Sequence, residues 1–342
     1  LERKDLIGKI VEIAGDYRKG EIVPFDEHHV QKWVAQFPVS VDYQDVILGE
    51  VGHMLENFYI SRDCAKSNLT RLLKSMKKEN FGGCSIADVN FLRTQDLGKS
   101  QHEILLIADE ILQEAKGIST QNCGGSNVYL YLDDCMYSGN KWRYDIKDST
   151  QLAEAKNGMI LVSYHFAIYN GGYNYAKTFV QGCLSKKGGI LKPFSTEMYN
   201  SERFGNENLD IMWPSYVKGD ECVDEYANRV RSFCENKGWG MRPLFRTNQL
   251  ASPGVFTSPK KRYIVEQAFL AAGAKMFCAA QNPAPSMRPM GFEVIATIGF
   301  GTPIVTWRNI PNNAPLALWY GDPAYGPNHP LGMWYPLFPR KM

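Results

Sequence analysis

The chain has 342 residues, and its 38 basic and 36 acidic side chains leave a formal charge of +2, so no global field selects nucleic acid or an anionic membrane. That length permits one large α/β domain with additions, or two domains, around a sizeable core. There is no uninterrupted apolar run of about 18 residues to span a bilayer. The eight cysteines are scattered with no Cys-x-x-Cys pair, which indicates neither a zinc cluster nor a disulfide framework and favours reduced, buried thiols in a cytoplasmic protein.

The opening stretch, Leu1 to Asp5, is no secretion signal. Because it lacks an initiator methionine, residues are expected to precede it. The first eighty residues then read as amphipathic helices. Leu6, Ile10, Ile13 and Tyr17 recur at helical spacing, as do Val30, Trp33, Val34 and Phe37 after the N-cap candidate Asp26. A third helix is expected after Asp42, with Ile47, Val51, Met54, Leu55 and Phe58 on one face, and a fourth after Ser61, with Leu69, Leu72, Leu73 and Met76 facing inward. His28, His29 and His53 read as surface or packing residues. The lysine-rich run from Lys74 to Lys78 reads as a solvated helix end. Together these predict an N-terminal helical cap over residues 1–80, packed on a sheet formed later in the chain.

From residue 85 strands and helices alternate. Val89 to Leu92 is a short strand candidate, followed by a loop ending in Gly98, Lys99 and Ser100 and a helix from Gln101 to Lys116. Strand, Gly-Lys-Ser loop and helix is a phosphate-binding order. It is not a P-loop, because the position five before Gly98 is Arg93.

Val128 to Leu132 is an apolar run rich in β-formers that meets Asp133 and Asp134, then Ser138, Gly139, Asn140 and Lys141. Ligands of open parallel sheets bind beyond the carboxyl ends of strands. Two carboxylates there can accept hydrogen bonds from vicinal ribose hydroxyls, while backbone N–H groups from Ser138 to Lys141 can wrap a phosphate. A strand ending in an ordinary turn would use many of the same residue types. Cys135 reads as packing beneath this loop.

Ser149 caps a predicted helix over residues 151–156, and Met159 to His165 is a buried strand, so a right-handed βαβ unit with parallel strands is expected. Gly171 and Gly172 read as a turn before a helix from Tyr175 to Ser185. His165 reads as a core histidine near a strand end. Ile190 to Phe194 is strand-like, and residues 186–257 are expected to form an insertion containing a helix from Val223 to Lys237. A helix from Lys260 ends at Gly273 as its C′ residue. Val294 to Ile298 and Pro303 to Trp307 are strand-like, and the Pro- and Trp-rich end reads as an ordered clamp of buried aromatics.

The strand-acid-acid-loop pattern resembles the signature of type I phosphoribosyltransferases, and the Gly98-Lys99-Ser100 loop stands where their pyrophosphate loop is expected. Two positions depart from it: Tyr137 stands where many relatives have a further acid, and Lys141 replaces the loop's final threonine. With Asp16-Tyr17-Arg18, the run Trp33 to Phe37 and the ending Pro336-Leu337-Phe338-Pro339-Arg340, most of the chain resembles phosphoribosyltransferase-like effectors of prokaryotic conflict systems, including retron-associated ones. The resemblance implies an α/β fold of the type I phosphoribosyltransferase class, with a parallel sheet flanked by helices over residues 81–342, a helical cap and a loop-rich end. It implies Asp133 and Asp134 as catalytic residues that hold ribose hydroxyls and orient a Mg²⁺, largely through water because Mg²⁺ keeps much of its hydration. Ser138, Gly139, Asn140 and Lys141 would take the 5-phosphate, and Gly98, Lys99 and Ser100 the leaving pyrophosphate. Phosphoribosyl pyrophosphate or a nucleotide would be the ligand; a reverse transcriptase with its non-coding DNA–RNA complex would be the partner in a toxic antiviral defence. No membrane association is expected, and an oligomer is compatible. Transfer at the anomeric carbon, N-glycosidic hydrolysis, and nucleotide sensing or partner docking without catalysis all stay open.

Overall fold

The computed structural model describes residues 1–95, 99–203, 208–216, 218–247, 252–280, 282–326 and 328–340. In chain order the elements are α1 (Arg3–Ala14), α2 (Glu27–Val34), α3 (Val41–Phe58), β1 (Tyr59–Ile60), α4 (Arg62–Ser75), β2 (Asn90–Phe91), α5 (Ser100–Lys116), β3 (Val128–Met136), α6 (Asn140–Lys147), α7 (Thr150–Glu154), β4 (Ile160–Tyr169), α8 (Asn170–Ser185), β5 (Ile190–Tyr199), α9 (Glu221–Lys237), α10 (Pro259–Ala279), β6 (Val305–Thr306) and α11 (Leu316–Trp319). The result is an α/β protein with parallel sheets flanked by helices. Two compact units divide it: residues 1–62 together with 203–342, and residues 63–202. The composition change near residue 80 lies inside the second of these.

Residues 63–202 carry a four-stranded parallel sheet in the order β2-β3-β4-β5. The connections α5, α6 with α7, and α8 are the crossovers that parallel pairing requires. Its core joins Leu92, Tyr131, Met136, Trp142, Leu161 and Val180, all nearly inaccessible. β3 runs farther than expected, through both acids to Met136, because Cys135 and Met136 continue the ladder opposite Ala167 and Ile168 of β4. Asp133 and Asp134 are therefore successive residues of a strand, and alternation sends them to opposite faces of the sheet. β5 likewise continues beyond Phe194 to Tyr199, paired with β4 throughout. Pro193 is accommodated because β5 is an edge strand.

Gly171 and Gly172 are not a turn: they lie in the first turn of α8. Gly172 is there for space, since a Cβ on it would stand 1.9 Å from the Tyr137 carbonyl oxygen. Gly139 answers it from the other side. Its φ of +72° is the left-handed conformation that glycine adopts without penalty, and a Cβ on it would meet the Gly172 carbonyl oxygen at 2.4 Å. The loop after β3 thus rests directly on the backbone at the start of α8.

In the other unit α1, α2 and α3 pack together, and α3 also packs on α10. Asp26 caps α2 as expected, accepting from the His29 N–H at 2.9 Å; Ser40, two residues before Asp42, caps α3. Phe37 stacks on Phe269 with centroids 5.8 Å apart and meets Trp334 edge-on at 5.1 Å. The C-terminal segment is the predicted clamp. Trp33 and Trp334 both donate their indole N–H to the Ala317 carbonyl, at 2.8 and 2.9 Å. His29 is buried between the Tyr335 hydroxyl and the Leu337 carbonyl, each 2.7 Å away. Gly273 lies within α10, where the Pro289 backbone presses so closely that a Cβ would fall 2.4 Å from its oxygen. Only Val305–Thr306 of the expected strand 303–307 is extended in a ladder, parallel to β1, and 294–298 forms bends.

Replacing Gly172 by alanine should destabilise the protein by about 2 kcal/mol or more through overpacking. Gly182→Ala, at an exposed position of the same helix with nothing within 4 Å of the added methyl, should leave stability unchanged or raise it by up to about 1 kcal/mol. Thermal or urea melts of the pair separate a close approach from ordinary helix propensity.

Candidate functional site

The site forms at the carboxyl end of β3, where α5 and α6 begin. Asp133 is 5% exposed, and four protein donors surround its carboxylate. Oδ1 accepts from the Ser100 hydroxyl at 2.5 Å and the Asp134 N–H at 2.9 Å. Oδ2 accepts from the Gln95 amide at 3.1 Å and the Tyr131 hydroxyl at 2.9 Å. Two of these donors are hydroxyls with a single proton each, and each is shared with a second acceptor: Ser100 with the Gln95 carbonyl oxygen and Tyr131 with a neighbouring acid.

The Gln95 and Tyr131 donors also serve a second carboxylate. Asp145, one turn along α6 from Lys141 and 7% exposed, receives the Gln95 amide at 3.0 Å and the Tyr131 hydroxyl at 2.8 Å on Oδ2. Lys141 binds its other oxygen. Tyr131 is suited to the position between two acids because burial, reinforced by both carboxylates, pushes its hydroxyl well above the ordinary range and keeps it a donor. Gln95 is itself placed by the start of α5: its carbonyl oxygen accepts from Ser100 Oγ and the Gln101 N–H at 3.4 Å. Gln101, almost inaccessible, gathers the preceding loop by accepting from the N–H groups of Thr94 at 2.7 Å and Gln95 at 3.2 Å.

Of the residues expected at the site, Ser100, Asp133 and Lys141 join this network. Lys99 is the exposed N-cap of α5. Gly98 lies outside the described residues. Asp134 is half-buried and accepts from the Cys135 N–H at 2.7 Å. Ser138 Oγ accepts from the Asn140 N–H at 3.4 Å, and Gly139 is the N-cap of α6, so the expected phosphate loop ends in a helix N-terminus. Gln95, Tyr131 and Asp145 were not anticipated; a tyrosine two before an acid on one strand face and an acid one helical turn after a lysine are the only hints the sequence carries.

The chemistry is correspondingly narrowed. Tyr137 is no base, since burial holds its hydroxyl well above the ordinary range. Burial likewise pushes the Cys135 thiol far up, which leaves it a packing residue. Among the described residues no group of three or more His, Cys, Asp or Glu side chains could hold a metal ion directly.

Residues 30–340 match the PRTase-CE family. The chain belongs to that family. PRTase-CE membership makes this a phosphoribosyltransferase-like protein and covers the four-stranded sheet, the site at the end of β3 and the C-terminal clamp. Comparison with curated proteins and with solved structures gives no significant match. Among its described residues this PRTase-CE protein has no helix long and apolar enough to cross a membrane.

Behind Asp133 lies His165, its partner across the β3–β4 ladder. Burial drives the imidazole from 6.5 down to about 4, with the Asp133 charge opposing. Its Nδ1 is without a hydrogen-bond partner among the described residues. The ring is neutral in the fold at neutral pH. As pH falls from about 6.5 toward 4 the unfolded chain gains a proton that the folded chain resists, so stability is lost across that window, by up to about 3 kcal/mol. Urea titrations should show this slope in the native protein and a shallower one in His165→Gln.

Proposed function

We propose that this PRTase-CE protein binds phosphoribosyl pyrophosphate or a nucleotide at the end of β3 and acts at the ribose anomeric carbon. The observation that carries the reading is convergence: Asp133 of β3 meets Ser100 from the start of α5, and the Tyr131 and Gln95 groups it shares with Asp145 join it to the acid that holds Lys141 at the start of α6. Each helix start presents N–H groups to an anion. In this reading Ser138 to Lys141 take the 5-phosphate, and Gly98, Lys99 and Ser100 take the pyrophosphate. Asp133 and Asp134 meet the ribose hydroxyls, Asp133 by exchanging protein donors for sugar hydroxyls. Mg²⁺ would enter with the ligand's phosphates, oriented by Asp133 and Asp134 largely through water. Cleavage of the anomeric bond develops positive charge on the sugar, which the carboxylates stabilise; positioning replaces a strong base, in keeping with Tyr137.

Ligand sensing without transfer is the second reading, favoured by the protein donors already gathered on the Asp133 carboxylate. The resemblance to conflict-system effectors supports a setting in antiphage defence, with a retron reverse transcriptase and its DNA–RNA complex as partners. Co-purification from cells carrying the neighbouring genes tests that setting.

Titration calorimetry with phosphoribosyl pyrophosphate and Mg²⁺ should give saturable binding, weakened at least tenfold in Asp133→Asn/Asp134→Asn. Absence of binding by the folded native protein, or equal binding by the double variant, would overturn the site. Release of pyrophosphate separates transfer from hydrolysis, which liberates free base, and from sensing, which consumes nothing.

A further inference from the structure

Asp145 does more than fill space beneath α6. α6 starts with no acidic residue in its first turn, and Lys141 sits there instead. A cation at that end opposes the helix dipole, and lysine four residues before an acid is the less favourable order along a helix. Local helix energetics therefore do not explain Lys141. What holds it is the Asp145 carboxylate, with the Lys141 side chain 59% exposed and that of Asp145 6% exposed.

Asp145 does not depend on Lys141 for its place. Its Oδ2 keeps the Tyr131 hydroxyl and the Gln95 amide, so the carboxylate stays anchored when the ammonium leaves Oδ1. Lysine is a point charge on a flexible stem and can swing away without moving the backbone. We infer that Asp145 is a positioning residue acting through Lys141: an internal counter-ion from which the ammonium is transferred to the incoming phosphate of the ligand. This rests on the phosphate-ribose reading of the site and adds the residue that sets its affinity.

The exchange fixes a sign. A lysine held by Asp145 in the unliganded protein lowers the fraction of molecules ready to bind, and apparent affinity falls by that fraction. Removing the counter-ion should therefore tighten binding, opposite to the effect of damaging a structural hydrogen bond. A phosphate dianion also competes for the ammonium better than a singly charged group does, so the barrier set by Asp145 favours ligands bearing a phosphate monoester.

The test is calorimetric titration of phosphoribosyl pyrophosphate into the native chain, Asp145→Asn, Lys141→Gln and the double variant, each first checked for a cooperative melt. Asp145→Asn should bind about tenfold tighter and Lys141→Gln about tenfold weaker. The double variant should match Lys141→Gln alone, because Asp145 acts only through the lysine. Weaker binding by folded Asp145→Asn overturns the inference, as does unchanged binding by Lys141→Gln; the latter needs no change at the buried position and decides the matter if Asp145→Asn does not fold. Failure of the native chain and every variant to bind overturns the phosphate-ribose reading and this inference together, whereas native binding with the wrong order of variants overturns this inference alone.

Discussion

Two like charges are brought close inside residues 63–202, and the arrangement at the end of β3 depends on how they are kept apart. Asp133 and Asp145 approach through a shared pair of donors, the Tyr131 hydroxyl and the Gln95 amide. Buried carboxylates of this kind persist only where hydrogen bonds replace the water they have lost. Each donor comes from a different place: Tyr131 from the same strand as Asp133, Gln95 from the loop before α5. The network therefore ties β3, α5 and α6 into one electrostatic unit. Moving any one of them strands a charge away from water, a cost of several kcal/mol.

Backbone contact gives the same region its shape. Gly139 and Gly172 let the loop after β3 and the first turn of α8 touch without intervening side chains. The loop's path is then set by van der Waals contact on one side and by the start of α6 on the other. A loop held in this way is positioned by the sheet and its crossovers.

The readable parts of this fold were those whose cause is local. Asp26 announced α2 because a cap acts three residues away, and the helix over Gln101 to Lys116 followed from its apolar stripe. The strand carrying the acids followed from its β-formers, though its true end did not, because the pairing of Cys135 and Met136 with β4 is decided by the partner strand. Gly171, Gly172 and Gly273 misled for one reason. Glycine signals a turn in isolation, whereas here Gly172 and Gly273 answer to backbone from 35 and 16 residues away, at Tyr137 and Pro289. Asp145 was invisible for a similar reason: α6 is short and strongly polar, and the donors that give this acid its place lie 14 and 50 residues back.

The C-terminal clamp bears on how the chain is made. His29 and Trp33 of α2 find their partners 308 and 284 residues later, at Leu337 and Ala317, while residues 63–202 hold a core of their own between them. During synthesis that middle stretch has everything it needs to condense as it emerges. The first three helices pack on one another, but α2 also needs these late partners and α3 needs α10, and non-local closure of this kind is slow. Until Ala317 and Leu337 are made, Trp33 and His29 lack the carbonyls that satisfy them, which leaves this face of α2 for chaperones to cover.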